Sequence, residues 1–146
     1  AGFLGPLMIL LDTNVLSELM RPEPAEPVLA WMRRQSATEL YVSSISYAEI
    51  LYGIDLLPEG KRRRALAEQA EGMFTEDFAG RMLSFDPAAA PAYAAIIGGR
   101  RRAGDPIMPL DAMIAAIART HGAAVATRDR DLNGCGIPVI NPWQAL

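Results

Sequence analysis

Residues 8–19 read MILLDTNVLSEL, an apolar run that stops at Asp12 and passes directly into a helical pattern. A short, continuous apolar run bounded by a polar group is the mark of a strand buried on both faces. The carboxylate that ends it has two explanations. Asp, Thr and Asn are all good helix N-caps, because a short side-chain oxygen accepts a bond from a free first-turn N–H. Alternatively, Asp12 stands at the carboxyl end of a central strand, where open α/β sheets place their ligands. The choice turns on whether other acids reach the same edge.

Outward from this stretch, strand and helix signals alternate. Residues 8–12 form the first strand and 13–20 a short helix; Pro22, Pro24 and Pro27 mark a turn before a helix over 28–35. Residues 40–43 form a second strand. Residues 46–57 form a helix whose start, Ser46-Tyr47-Ala48-Glu49, has the capping-box pattern, and Pro58-Glu59-Gly60 ends it. Residues 61–74 form an amphipathic helix with Leu66, Ala70, Met73 and Phe74 on one stripe. A short strand over 82–85 precedes Asp86-Pro87, read as an N-cap and a first-turn proline of a helix running to about Arg102. After a loop over 104–109, an alanine-rich helix over 111–121 ends at Gly122. Strands over 124–127 and 139–140 close the chain. Alternation of this kind implies parallel strands joined by helical crossovers, hence a three-layer α/β/α sandwich.

Composition narrows the class. A 146-residue chain that is 51% hydrophobic suits one globular domain with a proper core. No apolar run approaches the roughly 20 residues of a membrane span, so no membrane association is expected. Residues 1–7, AGFLGPL, read as a leader or cloning remnant before a domain over 8–146. Cys135 is the only cysteine, which suits a reducing cytoplasm. The net charge is -3, yet basic residues gather at Arg33-Arg34, at Lys61 through Arg64 and at Arg100-Arg101-Arg102. These clusters favour a polyanionic partner modestly, since each one alone is a normal solvated helix face.

The acids converge. In a parallel sheet all carboxyl ends lie on one edge. Asp12 ends the first strand, Glu49 lies early in the helix after the second, and Asp129 and Asp131 follow the fourth. Asp111 opens the helix leading into that fourth strand and shares a face with Ile114, Ala115 and Ala118. Each acid taken singly could cap a helix or shape a turn. Together they are harder to dismiss, because packed carboxylates repel and raise each other's pKa unless a cation sits among them. An all-oxygen cluster suits a hard ion, Mg²⁺ or Mn²⁺. His121, the only histidine, sits beside the helix-stopping Gly122 and reads as a helix-end residue.

LLDTNVLSEL with Asp12, SYAEILYG with Glu49, PLDAMIAAIA with Asp111, ATRDRDL with Thr127 and Asp129, and the closing PVINPW resemble a PIN-domain ribonuclease. Within that superfamily the chain is most similar to VapC-type toxins of bacterial toxin–antitoxin pairs, the FitB-like subgroup above all. The resemblance implies a five-stranded parallel sheet and Mg²⁺-dependent endonuclease activity on RNA. It places the catalytic and metal-binding acids at Asp12, Glu49, Asp111 and Asp129. Thr127 matches a hydroxyl residue near the metal, Asn14 supports the first aspartate, and Asp131 is at most an auxiliary ligand. Arg128 or Arg100, Arg101 and Arg102 are the expected contacts to the RNA backbone. The implied partners are a cognate antitoxin seated in an apolar groove, a second copy in a homodimer, and operator DNA only through the antitoxin.

Two other readings compete. One is a catalytically weak PIN domain that acts mainly as a binding subunit of an antitoxin–DNA complex; the full acid set argues against it. The other is a Mg²⁺-dependent phosphatase of the haloacid dehalogenase type. It wants a second aspartate two residues after the first, where this chain has Asn14. It also wants a lysine in the site, and the only lysine, Lys61, lies in the arginine-rich helix. A dinucleotide-binding fold lacks its glycine-rich turn after the first strand.

Overall fold

The structure, a computed structural model, describes residues 7–145; the proposed leader residues 1–6 lie outside the described residues. Five parallel strands form one sheet: β1 (Ile9–Leu11), β2 (Leu40–Ser43), β3 (Met82–Leu83), β4 (Ala124–Ala126) and β5 (Val139–Ile140), in the order β3-β2-β1-β4-β5. β1 is therefore central. It pairs Ile9 with Leu40 on one side and Ile9 with Ala124 on the other. The chain builds outward from β1 in one direction, then returns to build in the other. The switch falls between β1 and β4, where open α/β sheets leave a crevice at their carboxyl ends.

Six helices cover the sheet: α1 (Thr13–Leu19), α2 (Glu26–Arg33), α3 (Ser44–Asp55), α4 (Lys61–Gly72), α5 (Ala90–Arg102) and α6 (Pro109–His121). Alternation along the strands divides the core. Ile9 and Leu11 face one side with Val15, Leu16, Trp31, Ile50 and Phe74. Leu10 and Val125 face the other with Ile96, Ile114 and Ile117. Both faces of β1 are thus covered, which explains its unbroken apolar run. On α6, Ala112, Ala115, Ala116 and Ala118 are wholly buried, and side chains this small let the helix lie close to both the sheet and α5.

Most boundaries agree with the sequence reading to within two residues. Two starts moved. α3 begins at Ser44 and not at Ser46, because the Ser43 hydroxyl accepts the Ser46 N–H and so serves as the N-cap. The capping box read from Ser46 and Glu49 is not formed. α5 begins at Ala90, and Asp86 accepts the Ala89 N–H in a separate turn ahead of it. The amphipathic helix over 61–74 departs from expectation: α4 ends at Gly72 and a wider π-turn over Met73–Asp77 carries Phe74 into the core, stacked on Tyr47. Gly122 ends α6 in the left-handed region at φ 66°, where a glycine avoids the Cβ clash.

Candidate active site

Asp12 leaves the end of β1 with its backbone still in the ladder, the Asp12 N–H donating to the Ala126 carbonyl. Its side chain is 4% exposed. One carboxylate oxygen accepts the Thr13 N–H at 2.8 Å, so the capping role is real. The other accepts the Thr127 hydroxyl at 2.8 Å and, more loosely, the Asn14 amide at 3.4 Å. Asn14 also donates to Thr127 Oγ1 at 2.9 Å, tying the end of β1 to the end of β4. Thr127 Oγ1 in turn accepts the Asp129 N–H at 3.0 Å, which orients the turn carrying that acid. One hydroxyl, 1% exposed, therefore coordinates two acids and both strand ends.

Glu49 is one turn inside α3. The Thr13 hydroxyl donates to its Oε1 at 2.6 Å, a short charge-assisted bond. That hydroxyl has one proton, so the buried Ser46 hydroxyl, 2.8 Å away, is the donor in the Thr13–Ser46 pair. Thr13 thus holds Asp12 through its backbone and Glu49 through its side chain. Sequence reading passed over Thr13 and gave Ser46 the wrong task. The only available signal was a hydroxyl residue directly after Asp12, and nothing local says that α3 packs against it.

Asp111 is in the first turn of α6, and a half-buried carboxylate there gains from the helix dipole. Asp129 caps the short 3-10 turn over Arg130–Leu132 by accepting the Asp131 N–H at 2.9 Å. Carboxylate oxygens of Asp111, Asp129 and Asp131 all lie within 4.8 Å of one another. Asp12 and Glu49 stand outside this tight group but within its field. The Asp111 carboxyl is pushed up to about 6, first by burial and then by Asp129, Asp12, Glu49 and Asp131. Burial likewise raises Asp12, with bonds from Thr127 and Thr13 opposing it and Glu49 and Asp129 adding to it. Five acids share one edge, and their mutual repulsion is written into these shifts. Such a set fits a hard divalent cation, since every donor is oxygen and the strain is relieved by positive charge.

The arginines separate. Arg100 does not face the edge; it is 8% exposed and turned inward. It donates to the carbonyls of Asp105 at 2.8 Å, Asp131 at 2.7 Å and Asn133 at 3.3 Å, and to Cys135 Sγ at 3.4 Å. Its role is to clamp the loop after β4, and an RNA contact there is ruled out by burial. Arg128 is exposed and lies over the Trp143 ring, 4.4 Å from its centroid.

A second feature opens beside the acids. A groove of about 980 Å³ runs between α1, α3 and α4, with Met20, Ile50, Ile54, Leu57 and Leu66 in its walls and Thr13 and Glu49 at one end.

The PIN-domain family model matches residues 9–135. The chain is 43% identical over 138 residues to a protein of Sinorhizobium fredii named VapC ribonuclease Y4jK, covering 94% of this chain and 99% of that one. It is 42% identical over 137 residues to Toxin FitB of Neisseria gonorrhoeae, covering 93% and 99%. Its fold is similar to a chain in the structure of FitAB bound to an IR36 DNA fragment, with a TM-score of 0.88, 41% identity and coverage of 95% and 98%. Fold and sequence agree with these relatives along nearly the whole length, and the chain belongs to the PIN-domain family.

Proposed function

We propose that this chain is the endoribonuclease toxin of a toxin–antitoxin pair, hydrolysing RNA phosphodiester bonds with the help of Mg²⁺ or Mn²⁺. The observation that carries this reading is the gathering of Asp111, Asp129 and Asp131 within 4.8 Å, with Asp12 and Glu49 behind them. Capping duties do not require five acids on one edge. Asp111, Asp129 and Asp131 are the groups that would hold an ion directly, and Asp12 and Glu49 complete the set directly or through water. A hard ion at such a site supplies Lewis acidity and a water of lowered pKa. The protein supplies the rest. Thr127, Thr13 and Asn14 fix the rotamers of Asp12 and Glu49, so negative charge is held ready where the ion would sit. The names of the two relatives, one a ribonuclease and one a toxin, support the same reading.

The partners follow from the surface. The apolar groove between α1, α3 and α4 fits an amphipathic segment of an antitoxin. Because it ends on Thr13 and Glu49, an occupant lies against the acids and closes their edge from one side. Operator DNA is reached only through that antitoxin, in keeping with the DNA-bound FitAB complex. α3 and the residue that ends it leave Leu51, Tyr52 and Leu56 exposed, apolar surface that a second copy covers in a homodimer. We place the protein in the cytoplasm, where RNA is available; among the described residues no helix is long and apolar enough to cross a membrane.

The test is hydrolysis of unstructured RNA by the purified chain in Mg²⁺, in Mn²⁺ and in excess chelator. Cleavage in either ion and arrest by chelator is the expected result. Undiminished cleavage in chelator removes the metal from the reading, and no cleavage in either ion leaves a binding subunit.

A further inference from the structure

Beyond the acids, at the carboxyl ends of β4 and β5, lies a separate cleft of about 480 Å³. This is within the roughly 300–1,000 Å³ of small-molecule pockets. It shares Thr127 and Asp129 with the acid edge, so whatever enters it adjoins the reacting phosphate. Its remaining lining is of another character. Arg128 and Arg130 bring positive charge, Asn133, Asn141 and Gln144 bring amides, and Trp143 brings an aromatic face. Arg128 and Arg130 thus stand next to a strongly acidic site whose acids alone would repel a polyanion.

The parts are held in place. Trp143 packs against the core of the α1–α4 side, and its N–H of the main chain donates to Asn141 Oδ1 at 2.9 Å. Arg128 is held over that indole by a cation–π contact, and its backbone N–H points to Asn14 Oδ1 at 3.4 Å. A guanidinium fixed in this way keeps its other face and its N–H edges for a ligand. The Asn133 and Gln144 side chains are exposed at the rim, with both donor and acceptor atoms. Stacking surface, cation and mixed amides are the means by which proteins hold a single-stranded nucleotide and read its base edge.

We infer that this cleft binds the nucleotide next to the scissile phosphate, with Arg128 on Trp143 as its platform and Asn133 and Gln144 reading its base. The inference rests on the ribonuclease reading and adds the source of its sequence preference. Arg128 offers its free face to the base, and the amides discriminate. The cleavage preference of this chain is thereby set at one position by two exposed side chains.

Two measurements test it. Trp31→Phe leaves Trp143 as the only tryptophan, because the sequence has two. A short unstructured RNA is titrated in Ca²⁺, which takes the same oxygen ligands as the proposed ion. Quenching of Trp143 emission is expected, with binding about tenfold weaker or more in Arg128→Ala. In parallel, the RNA ends produced by the native chain, Asn133→Ala and Gln144→Ala are sequenced in Mg²⁺ or Mn²⁺. The preference at one nucleotide beside the cut should flatten in at least one amide variant while cuts continue. Unmoved emission with RNA bound, or the same preference in both amide variants, overturns the cleft. Quenching by the antitoxin with none by RNA overturns it too, by assigning the cleft to the partner. Failure of the ribonuclease reading looks different: RNA quenches Trp143 and no ion supports a cut.

Discussion

Asp12 and Glu49 show how one residue serves structure and chemistry at once. Asp12→Asn keeps a side chain that caps as well as Asp does, so folding should survive and hydrolysis should be lost. Cleavage at the native rate would reduce Asp12 to its cap. For Glu49 the capping explanation has gone, since Ser43 holds the Ser46 N–H. Glu49→Gln should therefore leave the unfolding temperature of the metal-free protein almost unchanged while metal affinity and cleavage fall together. Thr13→Val, which removes the hydroxyl joining Glu49 to Ser46, should lower metal affinity on the order of 10–100-fold, as loss of a supporting bond does. Asp111 carries a pH signature. Its carboxyl rises from 3.8 in the unfolded chain to about 6 in the fold, so between these values the folded state binds more protons. This group's contribution is thus lost as pH rises from about 4 to about 6 and is level above. Asp111→Asn should raise the melting temperature of the metal-free protein at neutral pH by roughly a few degrees and leave it unchanged near pH 4. Saturating Mg²⁺ should reverse the order, because ligand binding stabilises only the chain that binds it. A melting-temperature series in pH, with and without the ion, decides the matter.

At the scale of elements, two joints govern the site. The β2–α3 joint depends on Ser43, which is wholly buried. Ser43→Ala removes a cap and leaves the Ser46 N–H unpaired, at a cost of about 1–2 kcal/mol by denaturant unfolding. Ser46→Ala should cost less and act on Glu49 through Thr13, the reverse of what the sequence pattern implies. The α5–loop joint depends on Arg100, whose guanidinium satisfies carbonyls of Asp105, Asp131 and Asn133. Arg100→Met fills the same space without donors, and each part-buried carbonyl it leaves costs about 1 kcal/mol. The loop that carries Asp131 should loosen, seen as faster amide exchange over 130–135 together with weaker metal binding. Unchanged exchange there would show that the clamp does not hold the acid.

The whole molecule presents an acidic edge with a groove on one side and a polar cleft on the other. An antitoxin seated in the groove should stabilise the chain by about 2.7 kcal/mol at a hundredfold excess over its Kd. Leu57→Arg puts a charge into the half-buried groove wall without touching an acid. It should abolish inhibition and leave hydrolysis intact. Hydrolysis still inhibited in that variant would place the antitoxin elsewhere.

Much of this was legible in the chain. The run at 8–12, the alternation of strand and helix signals, and Gly122 after an alanine-rich helix all report short-range physics: burial periodicity, caps and glycine conformations. They suffice for a parallel sheet, and a parallel sheet puts the ends of its strands on one edge. The acids at those ends were therefore visible in one dimension. What the sequence could not contain is direction. Whether Arg100 points to solvent or into the loop after β4 depends on how α5 packs against partners more than thirty residues away. Whether Ser43 or Ser46 caps α3 differs by less than one helical turn, and both are serines. The Thr13–Glu49 bond spans 36 residues and exists only because α1 lies against α3. Local propensity decides which elements form; only their packing decides which hydroxyl meets which carboxylate, because that contact is made between elements and not within them.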